Sequence, residues 1–178
     1  MHMHGLTIVH TGDGKGKTTA ALGLALRAWG NGLSVCILQF IKGKWKYGEL
    51  KSIEVLQKID DRIEIHPLGA GFSKRTPEKI EEHRKKANEA LALAREEMHS
   101  QKWNILILDE INYAIDFGLL DEEDVIRLIE EKPSLLHLVL TGRNATKKVI
   151  EAADLVTRME AVKHPFQQGI EAQIGIEF

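Results

Sequence analysis

The residues best equipped for chemistry form one short segment, Thr11-Gly12-Asp13-Gly14-Lys15-Gly16-Lys17-Thr18-Thr19. It closes in Gly-Lys-Thr, as the phosphate-loop pattern G-x-x-x-x-G-K-[ST] does. The first position of that pattern is Thr11 here, and glycines fall instead at 12, 14 and 16. The physics survives the change. Glycines let the backbone turn tightly and aim amides at an anion. A helix that starts at the loop adds its dipole. Lys17 supplies a fixed positive charge, and the Thr18 hydroxyl can ligate Mg²⁺. Lys15 has two equal readings, a phosphate contact or a solvated lysine.

A second chemical feature is Ile105-Leu106-Ile107-Leu108-Asp109-Glu110, an apolar run ending in two carboxylates. A strand of this kind lying beside the phosphate loop brings its acids to the C-terminal edge of a sheet, where open α/β sheets bind ligands. Asp109 and Glu110 can hold Mg²⁺ directly or through water, and the second acid can instead orient a water molecule. Thr141-Gly142-Arg143 follows another apolar run, so Arg143 is predicted on the same edge. There it either clamps a phosphate or pairs with a helix carboxylate.

These groups need elements to position them. Leu6–Val9, Val35–Ile41, Ile105–Leu108 and Leu135–Leu140 are short runs rich in Ile, Val and Leu with little alternation. Such runs suit strands buried on both faces of a parallel sheet. Helical patterns lie between them. Lys17 to Trp29 is rich in Ala and Leu and ends near Gly30 and Gly32, a C-cap signal. Pro77 to His99 is the longest, with Thr76 as N-cap and Pro77 at the first helical position. Its predicted apolar face is Ile80, Ala87, Leu91, Ala94 and Met98, with Glu81/Lys85 and Glu82/Lys86 paired on the solvated side. Further helices are predicted from Glu122 to Glu131, with Asp121 as N-cap, and from Ala145 to Ala152. The alternation implies crossover units and a mostly parallel α/β sheet with flanking helices. Gly169 to Phe178 reads as one or two short strands.

Composition narrows the class. At about 150 residues per domain, 178 residues suggest one domain. With 43% hydrophobic and 28% charged residues the chain is neither fibrous nor disordered. Its single cysteine, Cys36, excludes a disulfide scaffold and sits in an apolar run as a core residue. A net charge of −2 argues against a protein that coats nucleic acid, despite Trp45 and Tyr47 among Lys42, Lys44, Lys46 and Lys51. No apolar run is long enough to span a membrane, and no signal peptide is visible, so a cytoplasmic location is expected. The eight histidines are not grouped at metal-ligand spacings.

Taken in order, Thr11–Ala21, Gln39–Gly43, Gly69–Ser73, Leu108–Glu110, Leu140–Arg143, Ala153–Thr157 and Lys163–Phe178 resemble the P-loop-type ATP:corrinoid adenosyltransferases. QFIKG and the C-terminal KHPF…AQIGIE make that resemblance far more specific than the phosphate loop alone. It implies a RecA-like P-loop NTPase fold in one domain over residues 1–178. It also implies transfer of the 5′-deoxyadenosyl group of ATP to the Co(I) of a reduced corrinoid. Gly12, Asp13, Gly14, Lys15, Gly16, Lys17, Thr18 and Thr19 would cradle the triphosphate, with Thr18 and Glu110 on Mg²⁺ (or Mn²⁺) and Asp109 either sharing the metal or lying behind its ligands. Lys17 and Arg143 would act on the leaving group, and Arg27, with Asp13, would lie near the nucleoside. Phe72 matches an aromatic that presses on the lower corrin face and favours four-coordinate cobalt, although a hydrophobic plug is the other reading of a loop phenylalanine. Lys74 stands where some members carry tryptophan. His164 lies in a matching segment. A homodimer and a reducing flavoprotein as electron donor are implied as partners. Because nearly all residues belong to the P-loop core, the corrinoid is expected against the loops at the ATP edge. The competing functions are another P-loop kinase or ATPase, and a nucleotide-dependent interaction module.

Overall fold

The computed structural model describes residues 4–43, 47–71 and 76–177. Six strands form one sheet: β1 (Thr7–Thr11), β2 (Val35–Gln39), β3 (Ile63–Pro67), β4 (Ile105–Asp109), β5 (His137–Thr141) and β6 (Leu155–Arg158). Their order is β3-β2-β4-β5-β1-β6, and every pairing is parallel. The helices are α1 (Lys17–Gly30), α2 (Gly48–Ile59), α3 (Pro77–His99), α4 (Ile111–Asp116), α5 (Glu122–Glu130) and α6 (Lys147–Glu151).

Period-two alternation divides the strand side chains between two cores. Val35, Ile37, Ile63, Ile105, Ile107 and Val139 pack with Ala21, Ala25 and Ala28 of α1 and Ile53 of α2. Cys36, Leu38, Leu106, Leu108, Leu138 and Leu140 face the other way, onto α3, α4, α5 and α6. Both faces are therefore covered, which is why the strands read as continuous apolar runs. Cys36 is fully buried in the second core, and burial pushes its thiol well above the usual range.

α3 runs over the predicted span, with the Thr76 hydroxyl accepting from Lys79 N at 3.4 Å. Its buried face is Ala87, Ala90, Leu91, Ala94 and Met98. Ile80 is 39% exposed, and the buried face of α3 begins only at Ala87. The charged residues of this helix pair at i,i+3 (Arg84 with Glu81 at 3.6 Å, Lys86 with Glu89 at 2.9 Å) rather than as Glu81/Lys85 and Glu82/Lys86. The Asp121 carboxylate caps α5 by accepting from Glu123 N at 3.2 Å.

Four elements carry too little signal to be legible in advance: α2, β3, α4 and β6. β3 and β6 are the sheet edges, and all four residues of β6 are exposed. Gly169 to Phe178 is not a strand over its described part. A short 3₁₀ turn at Pro165–Gln168 precedes it. Left-handed Gly169 (φ 74) and Gly175 (φ 81) turn the chain, and the Gln173 carbonyl accepts from Ile176 and Glu177 N–H. No helix among the described residues is long and apolar enough to cross a membrane.

Candidate active site

All six strands run in one direction, so Thr11, Gln39, Pro67, Asp109, Thr141 and Arg158 all end at one sheet edge. The phosphate loop bridges β1 and α1 there. Gly16 takes a left-handed conformation (φ 107) as α1 begins, and its carbonyl accepts from Ala20 N at 2.7 Å. The loop is braced from outside by the residues that follow β6. Met159 N donates to the Thr11 carbonyl, and Gly14 N donates to the Met159 carbonyl, each at 2.8 Å. A Cβ on Gly12 (φ 96) would lie 2.4 Å from the Met159 carbonyl oxygen, and one on Gly14 would lie 2.7 Å from the Glu160 carbonyl carbon. These glycines are required by the close approach of the strap's backbone. The Gly14 amide is engaged by this strap, so it is not directed at an anion as the sequence suggested.

Lys17 is 7% exposed. Its ammonium donates to the carbonyls of Gly12 at 2.8 Å and Gly14 at 2.7 Å, curled inside the loop. Burial lowers its pKa, opposed by the nearby charges of Glu110 and Asp13 and reinforced by those of Arg143 and Lys15. Asp13, Lys15 and Thr19 are exposed on the loop, and Lys15 pairs with Glu177.

Asp109 is 1% exposed and fixed on both sides. Its Oδ1 accepts from the Thr18 hydroxyl at 2.8 Å and the Thr141 hydroxyl at 2.7 Å. Its Oδ2 accepts from Gln39 Nε2 at 3.1 Å and lies 3.8 Å from Lys42 Nζ. β4 does not adjoin β1, since β5 lies between them; Thr141 at the end of β5 bridges the gap. Glu110 follows in a left-handed conformation (φ 65) as N-cap of α4. A non-glycine residue held there is strained, a feature that clusters at functional sites. Glu110 N donates to the Thr141 hydroxyl at 2.9 Å, while its carboxylate has no hydrogen-bond partner among the described residues. Burial, then the adjacent Asp109, raises its pKa against the pull of Lys17, Lys42 and Arg143. Arg143 is exposed and close enough to bias both Lys17 and Glu110, and it forms no ion pair among the described residues.

No group of three or more His, Cys, Asp or Glu could hold a metal among the described residues. The donors that do converge are a threonine hydroxyl and two carboxylates. This set of hard oxygens suits Mg²⁺ or Mn²⁺ completed by phosphate and water. The half-buried Glu110 carboxylate, without a hydrogen bond among the described residues, fits that set.

Other predicted residues fall elsewhere. Arg27 is exposed in the last turn of α1. At about 1.5 Å per residue it stands roughly 15 Å along the axis from Lys17, so within one chain it does not join the loop. His164 Nδ1 accepts from Phe166 N at 3.1 Å and caps the 3₁₀ turn. Phe72 and Lys74 lie outside the described residues, as do Lys44, Trp45 and Lys46. No part in the acidic edge follows from sequence for Gln39, Glu49, Thr141 or the Met159–Glu160 strap, and Lys42 is read there only within the basic stretch around Trp45 and Tyr47. Gln39 and Lys42 belong to the QFIKG motif, whose polar residues just after a buried run were the available signal. Glu49 carried none.

The family described as ATP:corrinoid adenosyltransferase BtuR/CobO/CobP matches residues 3–178. A corrinoid adenosyltransferase of a Sinorhizobium species is 43% identical over 175 residues, covering 98% of this chain and 80% of the relative. Those of Pseudomonas aeruginosa and Salmonella typhimurium are 38% and 34% identical, each over 98% of this chain and 84% and 86% of theirs. Among solved structures, the flagellar accessory protein FlaH of Methanocaldococcus jannaschii superposes with a TM-score of 0.56 at 14% identity, covering 88% of this chain and 71% of its own. A KaiC-like protein of Pyrococcus horikoshii gives 0.51 at 17% identity, covering 88% and 73%. These likenesses place the fold among the RecA-like P-loop proteins.

Proposed function

Because this chain belongs to the ATP:corrinoid adenosyltransferase family, matched over residues 3–178, we propose that it transfers the 5′-deoxyadenosyl group of ATP to a reduced corrinoid. The observation that carries this reading on the protein's side is the contact between phosphate loop and acidic strand, Thr18 to Asp109 at 2.8 Å. Co(I) of the corrinoid substrate, a nucleophile without a proton, attacks the ribose C5′. The C5′–O5′ bond breaks, and its electron pair leaves with intact triphosphate. The two electrons of the new Co–C bond come from cobalt, which becomes Co(III).

No general base is needed. The protein's work is positioning and stabilisation of charge on the leaving group. Lys17 exchanges its loop carbonyls for phosphate oxygens, the α1 N-terminus adds its dipole, and Arg143 reaches the same edge from the end of β5. Asp13, Lys15, Thr19 and the loop backbone enclose the triphosphate. Thr18 and Glu110 would hold Mg²⁺, with Asp109 orienting Thr18 from behind. Bound there, the metal supplies further charge neutralisation on the leaving triphosphate. The family resemblance assigns Phe72 to the corrin substrate and implies a homodimer as the working assembly, a reducing flavoprotein as electron donor and a cytoplasmic reaction.

The test is product identification after incubation with ATP, Mg²⁺ and chemically reduced cobalamin. The expected products are a light-sensitive adenosylated corrinoid and intact triphosphate. ADP, or free phosphate in step with turnover, would overturn the reading. Sedimentation velocity tests the homodimer.

A further inference from the structure

Lys42 has no part in the mechanism above, yet it is a second cation at the acidic edge, half-buried where Lys17 is buried. It follows β2 by three residues and its side chain is 16% exposed. Its ammonium lies 2.6 Å from Glu49 Oε1 in the first turn of α2, 3.8 Å from Asp109 Oδ2, and 4.6 Å from the centre of the Tyr47 ring. The Glu49 contact is a charge-assisted hydrogen bond. The Asp109 contact is too long for one and acts as charge alone. Beside it Gln39, fully buried, donates to Asp109 Oδ2 and leaves its own Oε1 without a partner. A cation anchored from one side by Glu49 therefore faces the oxygen of Asp109 that the two threonine hydroxyls do not hold.

We infer that Lys42 is a positioning residue: held by Glu49, it fixes the Oδ2 side of Asp109 and balances the charge of Asp109 and Glu110 before nucleotide enters. The inference rests on the reading of Thr18, Asp109 and Glu110 as the metal edge. It makes Glu49 a regulator of that edge through Lys42, with opposite consequences for the two residues. Removing Lys42 uncovers the carboxylates and strengthens their attraction for a divalent cation. Removing the Glu49 charge frees Lys42 to move onto Asp109 and weakens that attraction. A lysine that only tied α2 to the sheet would give the same sign in both variants, because either change would loosen the edge.

The experiment is Mn²⁺ titration by electron paramagnetic resonance on the full chain without nucleotide. Lys42→Met is expected to bind Mn²⁺ about tenfold more tightly, the scale of one unit charge several ångströms from a divalent ion in a wet site. Lys42→Arg should restore wild-type affinity, Glu49→Gln should lower it, and Thr18→Ala should weaken binding in either background. Changes of the same sign in Lys42→Met and Glu49→Gln, or no change in either, overturn the role of Lys42 while leaving the metal edge standing. Absence of Mn²⁺ binding, or binding indifferent to Thr18→Ala, overturns the metal edge and this inference with it.

Discussion

Glu110 gathers the electrostatic cost of the acidic edge into a single side chain. Its pKa is raised chiefly by burial from an ordinary value of 4.5, so the ionised form is disfavoured in the ligand-free fold. Below that ordinary value both folded and unfolded states are protonated and no penalty exists. As pH rises, the unfolded chain ionises first and the fold loses stability until Glu110 itself ionises. Glu110→Gln is therefore expected to melt higher than wild type near neutral pH in the presence of chelator, and to lose that advantage below the ordinary glutamate range. Thermal melts at the two pH values check it, and the variant should lose metal-dependent turnover. Phe72 makes a different prediction, carried by the resemblance alone. Phe72→Ala should spare turnover with pre-reduced Co(I) better than turnover from Co(II), because its task precedes alkyl transfer. Equal losses in the two assays would remove that role.

At the scale of elements, β6 is the least obvious contributor and one of the most consequential. It is exposed along its whole length, yet it carries Met159 and Glu160 onto the phosphate loop. Its entry is fixed by Asp154, whose Oδ2 accepts from Thr7 N at 2.7 Å and whose N donates to the Thr7 carbonyl at 2.9 Å. Thr7 is 2% exposed. Asp154→Ala leaves a buried amide without a partner and should cost about 1–3 kcal/mol in urea unfolding. The loss should come with weaker ATP binding as the strap slackens. The central elements were legible because strands buried on both faces and capped helices carry strong local patterns. β3 and β6 were not, because an edge strand is defined by the neighbour it pairs with rather than by its own alternation.

For the whole molecule, one parallel sheet gathers the ends of every strand on a single edge, and nucleotide binding there should stabilise the entire fold. At about a hundredfold excess over its Kd, MgATP adds about 2.7 kcal/mol, which for a domain of this size is a rise of about 5–10 °C in Tm. Lys17→Ala should abolish that rise, since the ammonium that meets the phosphates is gone. A full shift in Lys17→Ala, read by calorimetry, would move ATP away from the loop. With both faces of the sheet covered by helices, the proposed corrinoid is left the loops at this same edge.

The sequence by itself determined the phosphate loop, the acidic strand end, the alternating α/β plan and the family. Each of these is local: a glycine run before a helix, a carboxylate after an apolar run, a motif order along the chain. Only the tertiary structure decided that β5 lies between β1 and β4, so that Thr141 completes the grip on Asp109. It also decided that the Gly14 amide belongs to Met159, that Arg27 is remote from the loop within one chain, and that Lys42 faces Asp109 from the anchor of Glu49. Those relations join residues far apart in the chain through side-chain reach and sheet order, and no spacing along the sequence encodes them.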